Sequence, residues 1–252
     1  TNGVPEQVFR KIAPEKLYHA TGNQIMPINT LFQLMTEKGK RLESACMLFM
    51  PDLFAWALCG SRTVDRTIAS TSQMVNPVTG NWDHNITALT PFPVTFFPKI
   101  VDCATVCGAY KGIPVVKVAG HDTQCAVAAM PWDGEGEAAF LSCGTWSLIG
   151  CELDKPILTK KSMEDELSNE IGANGKINYL KNISGLWLIQ ESRRQFARDG
   201  KQYSYADLER EALAAKPFAC FIDPDAPEFV PHGNIPERIR EYCRKTNQYV
   251  PE

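Results

Sequence analysis

The stretch Ile113–Pro131, "IPVVKVAGHDTQCAVAAMP", passes from a run of β-branched residues to a run of small ones through Gly120-His121-Asp122-Thr123. Ile113, Val115, Val116 and Val118 predict a strand, and their near-continuous apolar character predicts a place inside a sheet covered on both faces. Cys125, Ala126, Val127 and Ala129 predict a helix directly behind it. A strand that turns at once into a helix is the unit of α/β folds, and ligands of open α/β sheets bind at the carboxyl ends of the strands. Asp122 stands at that place, so its carboxylate is a candidate for facing a cleft. Aspartate is also a favoured helix N-cap, which needs no chemistry at all.

Outward from this point the chain reads as globular. Its 252 residues are 44% apolar, with 26 Lys and Arg against 29 Asp and Glu, for a net charge of −3. That balance carries no general attraction to nucleic acid or anionic membrane, so an anionic ligand must be held by local geometry. The sequence has no apolar run long enough to span a bilayer and no basic-then-apolar leader pattern, which predicts a soluble, cytoplasmic protein. The nine cysteines lie mostly in apolar runs and read as reduced core thiols. Cys103 and Cys107 have the spacing of half a metal site, but no second close pair completes four ligands, and no metal site is assigned.

Upstream, the first 22 residues predict helix and turn without an opening strand, as in a chain that continues something. Asn29-Thr30 predicts a helix cap, followed by Leu31, Phe32, Leu34 and Met35 at helical spacing and closed by Gly39. Pro51-Asp52 predicts the start of a buried helix reaching Cys59 and ended by Gly60. A short helix is expected near Asn85–Leu89, and "PFPVTFFP" (Pro91–Pro98) reads as an extended loop crossing the surface.

Downstream, residues 132–138 turn to Gly, Asp and Glu and predict a domain boundary, dividing the chain into 1–135 and 136–252. "AAFLSCGTWSLIG" (Ala138–Gly150) predicts a strand from Ala139, a turn at Ser142-Cys143-Gly144-Thr145, and a second strand from Ile149 to Leu153. A glycine followed by a hydroxyl residue lets a backbone turn approach and donate to a phosphate, and it equally makes a plain hairpin turn. Ile177–Asn182 predicts a third strand, leading to a helix whose apolar face is Leu186, Leu188, Ile189 and Phe196. Further helices are expected at Tyr205–Ala215 and Pro236–Thr246. Only 22 residues separate Asp122 from Gly144, across the expected boundary, as suits a base and a phosphate site facing one cleft.

At this point the sequence resembles the FGGY family of carbohydrate kinases. The resemblance rests on "GHDTQCAVAAMP", "AAFLSCGTWSLIG" and "YLKNISGLWLIQESRRQF", and extends to "MPINTLFQL" and "MPDLFAW". It implies an α/β, actin-like and ribonuclease-H-like two-domain kinase fold, incomplete in this chain. Residues 1–135 would be the later part of the first, sugar-binding domain, and 136–252 the earlier part of the second, nucleotide-binding domain. It also implies ATP and Mg²⁺ as cofactors, and transfer of the γ-phosphoryl group to a ketose hydroxyl, L-rhamnulose giving L-rhamnulose 1-phosphate. Asp122 would be the general base, with His121, Thr123 and Asn182 at the sugar and Gly144, Thr145 and Gln190 at the nucleotide.

Plainer readings stand beside these. Asn182 would cap a helix beginning at Ser184, Gln190 would be a solvated helix residue, Trp187 would be core, and Arg193-Arg194 would answer the helix dipole. Lys117 and His121 remain candidates for binding phosphate or hydroxyl groups. Family members are about twice this length by that resemblance. The acidic, glycine-rich hairpin for phosphate and Mg²⁺, an early sugar-binding segment and the glycine-rich adenosine loop have no counterpart here. The chain alone is therefore expected not to phosphorylate sugar, and incomplete sheets are expected to leave open edges that invite self-association. The rivals are another FGGY kinase, for xylulose, ribulose, fuculose or glycerol, a non-catalytic actin-like nucleotide-binding module, or a plain binding protein.

Overall fold

The structure is a computed structural model and describes residues 3–38, 43, 46–132, 136–229 and 232–251. It contains two compact units, residues 1–142 with 149–182 and residues 143–148 with 183–252. The helix-closing Gly39 and part of the predicted boundary, residues 133–135, lie outside the described residues.

In the first unit, prolines in the first turn start the short helices α1 (Val4–Phe9) and α2 (Pro14–Thr21). α3 (Thr30–Leu34) and α4 (Met50–Cys59) follow, and α4 ends on Gly60 in the left-handed conformation with φ +74°. β1 (Val64–Asp65) runs into α5 (Arg66–Ser70), and Asp65 caps that helix by accepting from the Thr67 and Ile68 amides. β2 (Val75–Asn76) and β3 (Asn81–Trp82) form a hairpin, α6 (His84–Thr87) follows, and β4 (Ile100–Val101) returns parallel to β1. β5 (Val106–Tyr110) and β6 (Ile113–Val116) make an antiparallel hairpin with a register shift near Val106 and Gly108. α7 (Asp122–Ala128) comes next, as the small-residue run predicts.

Beyond α7 lie β7 (Phe140–Cys143), β8 (Trp146–Leu153), α8 (Lys160–Glu164), β9 (Leu167–Ile171) and β10 (Ile177–Ser184). The four strands form one sheet in the order β7-β8-β10-β9. Two apolar clusters hold the first unit. One gathers Val8, Leu17, Leu31, Phe32, Met74 and Ile86, and the other joins Val64, Ala69, Val75 and Ile100 to Ile171 and Ile177 of β9 and β10. The second unit has α9 (Trp187–Arg198), α10 (Tyr205–Ala214) and α11 (Ile235–Lys245). Its core is Leu188, Ala226, Phe229 and Ile235, with Trp187 half-buried against it and edge-on to His232.

Four expectations are corrected. β6 is not covered on both faces: among the described residues it pairs only with β5, and Ile113 and Val116 are 68% and 46% exposed. α4 is not buried either, since Phe54, Trp56 and Leu58 face outward and only Asp52 and Ala55 are enclosed. In both cases apolar residues point to every side of the element while the described chain packs against one side only. "PFPVTFFP" is only in part a surface loop: Pro91, Pro93, Val94 and Thr95 are exposed, but its phenylalanines belong to the core. Its prolines bracket a 3₁₀ turn that buries Phe92, Phe96 and Phe97, and the Phe92 and Phe96 rings stack 3.9 Å apart. The nine cysteines are free thiols, but only Cys243 is buried, and Cys125 and Cys143 are exposed.

Candidate active site

The loop from β6 to α7 is tied down from below by one carboxylate. Asp65 Oδ1, besides capping α5, accepts from the Gly120 amide at 2.8 Å. The Thr67 hydroxyl, itself donating to Asp65, accepts from the His121 amide at 3.2 Å. A Cβ on Gly120 would meet Ile68 Cγ2 at 3.1 Å and Pro51 Cβ at 3.3 Å, so a side chain here would have to push these neighbours aside by a few tenths of an ångström. His121 becomes the N-cap residue of α7 and Asp122 its first helical residue. Asp122 is therefore not the cap. Its side chain is fully exposed, Oδ1 accepting only from the adjoining Thr123 amide at 2.9 Å.

His121 turns inward toward a buried acid. Its Nδ1 lies 3.4 Å from Glu170 Oε2, close enough for an ion pair, but the angle leaves Nδ1 without a hydrogen bond. Its Nε2 is 3.8 Å from Asp122 Oδ1. Glu170, on β9, is 4% exposed. Burial pushes its carboxyl above the usual carboxylate range, against the opposing pull of His121 and of hydrogen bonds from Gln124 and Asn182. Gln124 donates to Glu170 at 2.7 Å and accepts from Asn178, which fixes the orientation of its amide. Asn182 thus lies within β10 and bonds Glu170. It does not cap a helix, because α9 begins later, at Trp187.

These side chains border a cavity of about 210 Å³ within the first unit, whose wall includes His121, Ser168, Glu170 and Asn182. Thr123 is buried behind the loop, and Asp122 stands next to this wall through His121. Lys117 is elsewhere. It is 4% exposed, donating to Asp52 Oδ1 at 2.6 Å and to the Thr63 carbonyl at 2.8 Å, an enclosed ion pair unavailable to phosphate.

In the second unit, Gly144 and Thr145 form the bend between β7 and β8. The Gly144 and Thr145 carbonyls accept from the Leu186 amide at 2.9 Å and the Gly185 amide at 3.1 Å. Gly185 is packed so closely that a Cβ would lie 2.7 Å from both the Gly144 carbonyl oxygen and the Ser147 nitrogen. Thr145 is exposed, and Gln190 is half-buried in the first turns of α9. Arg193 and Arg194 are committed within this unit, Arg193 to the Tyr203 carbonyl and the Tyr205 ring, Arg194 to Glu191. Among the described residues, no group of three His, Cys, Asp or Glu could hold a metal ion, and no helix is long and apolar enough to cross a membrane.

The sequence reading missed Glu170 and all of β9. The strand "LSNEI" buries Ser168, Asn169 and Glu170 in succession, a pattern with no apolar alternation to betray it. The only signal was an acid at the end of a polar run, two residues before Gly172.

The model of the N-terminal domain of the FGGY family of carbohydrate kinases matches residues 1–136, and that of the C-terminal domain matches 139–250. The chain belongs to the FGGY family. It is 38% identical to the rhamnulokinase of Bacteroides thetaiotaomicron across the whole of this chain and 54% of that protein. With the rhamnulokinase of Enterococcus faecalis it shares 36% identity, over 94% of this chain and 50% of the relative. The chain thus spans about half the length of these FGGY relatives. Among solved FGGY structures, a ligand-bound xylulose kinase from Lactobacillus acidophilus superposes with TM-score 0.67 at 16% identity, over 85% of this chain and 46% of the other. Plasmodium falciparum glycerol kinase with ADP does so with TM-score 0.59 at 17% identity, over 75% and 43%. The α/β fold is that of FGGY sugar kinases, and the chain is of the carbohydrate-kinase class.

Proposed function

We propose that this chain carries the acceptor-sugar and phosphate-contacting residues of an ATP-dependent kinase acting on L-rhamnulose. The observation that carries the reading is the polar cavity walled by His121, Glu170 and Asn182, with the exposed carboxylate of Asp122 beside it. The names of the relatives favour L-rhamnulose among ketoses. In the reaction, the sugar hydroxyl oxygen attacks the γ-phosphorus of ATP. A new O–P bond forms, the bond to the β-phosphate oxygen breaks, ADP leaves, and the hydroxyl proton passes to Asp122. Thr123 and Asn182 help shape the sugar site, while the backbone and hydroxyl of Gly144-Thr145, with Gln190, contact the nucleotide. Mg²⁺ is assigned to the ATP phosphates, where it offsets charge in the transition state, and no protein site for it is proposed. The family domains are taken to meet between residues 136 and 139, and the protein is taken to work in the cytoplasm.

The test is a chimaera in which these 252 residues replace the matching half of the Bacteroides thetaiotaomicron rhamnulokinase. Coupled ADP release is expected with L-rhamnulose, at an efficiency about tenfold or more above that with xylulose, ribulose, fuculose or glycerol. Preference for another of these acceptors would overturn the substrate, and ADP release indifferent to every sugar would overturn the kinase reading.

A further inference from the structure

Two thiols from distant parts of the first unit meet where α4 packs on the β5–β6 hairpin. Cys59 is the last residue of α4. Cys107 is the residue of β5 left unpaired where the ladder shifts, Val106 standing opposite Val116 and Gly108 opposite Val115. At this shift the Sγ atoms of Cys59 and Cys107 lie 4.0 Å apart. Gly108 permits the approach, since a Cβ there would lie 2.8 Å from both the Cβ and the Sγ of Cys59.

Only weak bonds hold these thiols in place. Cys59 Sγ donates to the Ala55 carbonyl at 3.2 Å or the Cys107 carbonyl at 3.7 Å, and Cys107 Sγ to the Val115 carbonyl at 3.3 Å. Both residues are half-buried. In the second unit Cys220 also stands beside Cys243, but there Cys243 is fully enclosed. A disulfide sets its sulfurs about 2.05 Å apart, which leaves about 2 Å to be closed by turning the two side chains. Burial and the adjoining Cys59 thiol hold the Cys107 thiol above its ordinary range. Such a thiol is slow to react, but ionisation gives its reduced form no added stability against the disulfide.

We infer that Cys59 and Cys107 form a redox modification site, a dithiol that a small-molecule disulfide such as oxidised glutathione converts reversibly to a Cys59–Cys107 disulfide. One protein thiolate attacks a glutathione sulfur; a mixed disulfide forms, the glutathione disulfide bond breaks, and one glutathione thiolate leaves. The second protein thiolate then attacks the protein sulfur of the mixed disulfide and expels the other glutathione. Two electrons pass from the pair to glutathione, and the two thiol protons end on the two glutathione thiols. The new bond spans 48 positions of sequence and staples the end of α4 to the hairpin that leads into the Gly-His-Asp-Thr loop.

Equilibration of the 252-residue chain in glutathione buffers from reducing to oxidising, followed by alkylation, digestion and mass spectrometry, tests this. Cys59 and Cys107 are expected to pass together from alkylated to linked. Their linked peptide should exceed that from the same chain in guanidinium chloride by about tenfold or more, because the fold holds the two sulfurs together. Dithiothreitol should restore both thiols. Cys59→Ser should leave Cys107 as its mixed disulfide with glutathione, and Cys107→Ser should leave Cys59 so, because the second displacement then has no attacking thiolate. The parent chain decides alone, whatever the variants do to folding. Cys59 and Cys107 still reduced in the most oxidising buffer, each capped by glutathione, joined to other cysteines, or joined to each other no more than in denaturant would overturn the inference.

Discussion

Replacing Asp65 by alanine removes one carboxylate that joins the packing of the first unit to its candidate site. Oδ1 accepts from the Thr67 amide at 3.0 Å and the Ile68 amide at 3.3 Å as the cap of α5, and from the Gly120 amide at 2.8 Å across the structure. Asp65 is 1% exposed, so water cannot readily replace it. Loss of a helix cap costs about 1 kcal/mol. Loss of a hydrogen bond to a charged acceptor costs about 1.5–3 kcal/mol. The expected destabilisation is the combination, about 2.5–4 kcal/mol, which at 2–4 °C per kcal/mol lowers the melting temperature by about 5–16 °C. Asp65→Asn keeps an acceptor oxygen without the charge and should lose less than half as much. Thermal unfolding followed by circular dichroism gives the shift. Hydrogen exchange locates it, since the Gly120 and His121 amides should lose protection first, the latter because its Thr67 acceptor loses its own anchor. A shift below about 2 °C, the smallest that 1 kcal/mol would give, or unchanged protection at Gly120, would show that this carboxylate does not position the loop.

Lys117→Met strands the Asp52 carboxylate in the interior and should cost about 3–5 kcal/mol near neutral pH, measured by chemical denaturation. Burial already pushes the Asp52 carboxyl upward and Lys117 pulls it back, so the variant raises it further. A raised carboxyl favours the fold below the ordinary carboxylate range and loses that advantage as pH climbs through the higher value. The penalty should accordingly grow from acid to neutral pH, and a flat profile would contradict the pairing. Gly185→Ala drives a methyl against the Gly144 carbonyl and Ser147 nitrogen. In the chimaera it should raise the KM for ATP more than that for L-rhamnulose, and equal changes in both would dissociate Gly185 from the phosphate turn.

Local chemistry was legible where the partners were neighbours in sequence. The small residues after Asp122 do make a helix, and α10 and α11 stand close to the expected Tyr205–Ala215 and Pro236–Thr246. What escaped was set by distant residues. The run Ile113–Val118 reads as buried because its side chains are apolar, but cover is a property of whatever packs on it, and among the described residues β6 pairs with β5, packs against α4 on one side and leaves Ile113 and Val116 exposed. Lys117 reads as a free cation until Asp52, 65 positions earlier, is brought within 2.6 Å. The prolines of Pro91–Pro98 announce a loop, while the phenylalanines between them decide its burial. Of the candidate site, the Gly-His-Asp-Thr turn was readable, but Glu170 was not. Polar residues in a strand or loop look solvated until the fold encloses them.

The central claim is that Asp122 receives the proton of the sugar hydroxyl. Asp122→Asn keeps the size of an exposed side chain and removes its basicity, so the fold should be untouched. In the chimaera with the Bacteroides rhamnulokinase, the account predicts that kcat falls by about 10²–10⁴-fold while the dissociation constant for L-rhamnulose changes by less than about threefold. A kcat that survives the substitution, or a loss explained wholly by weaker sugar binding, would contradict it.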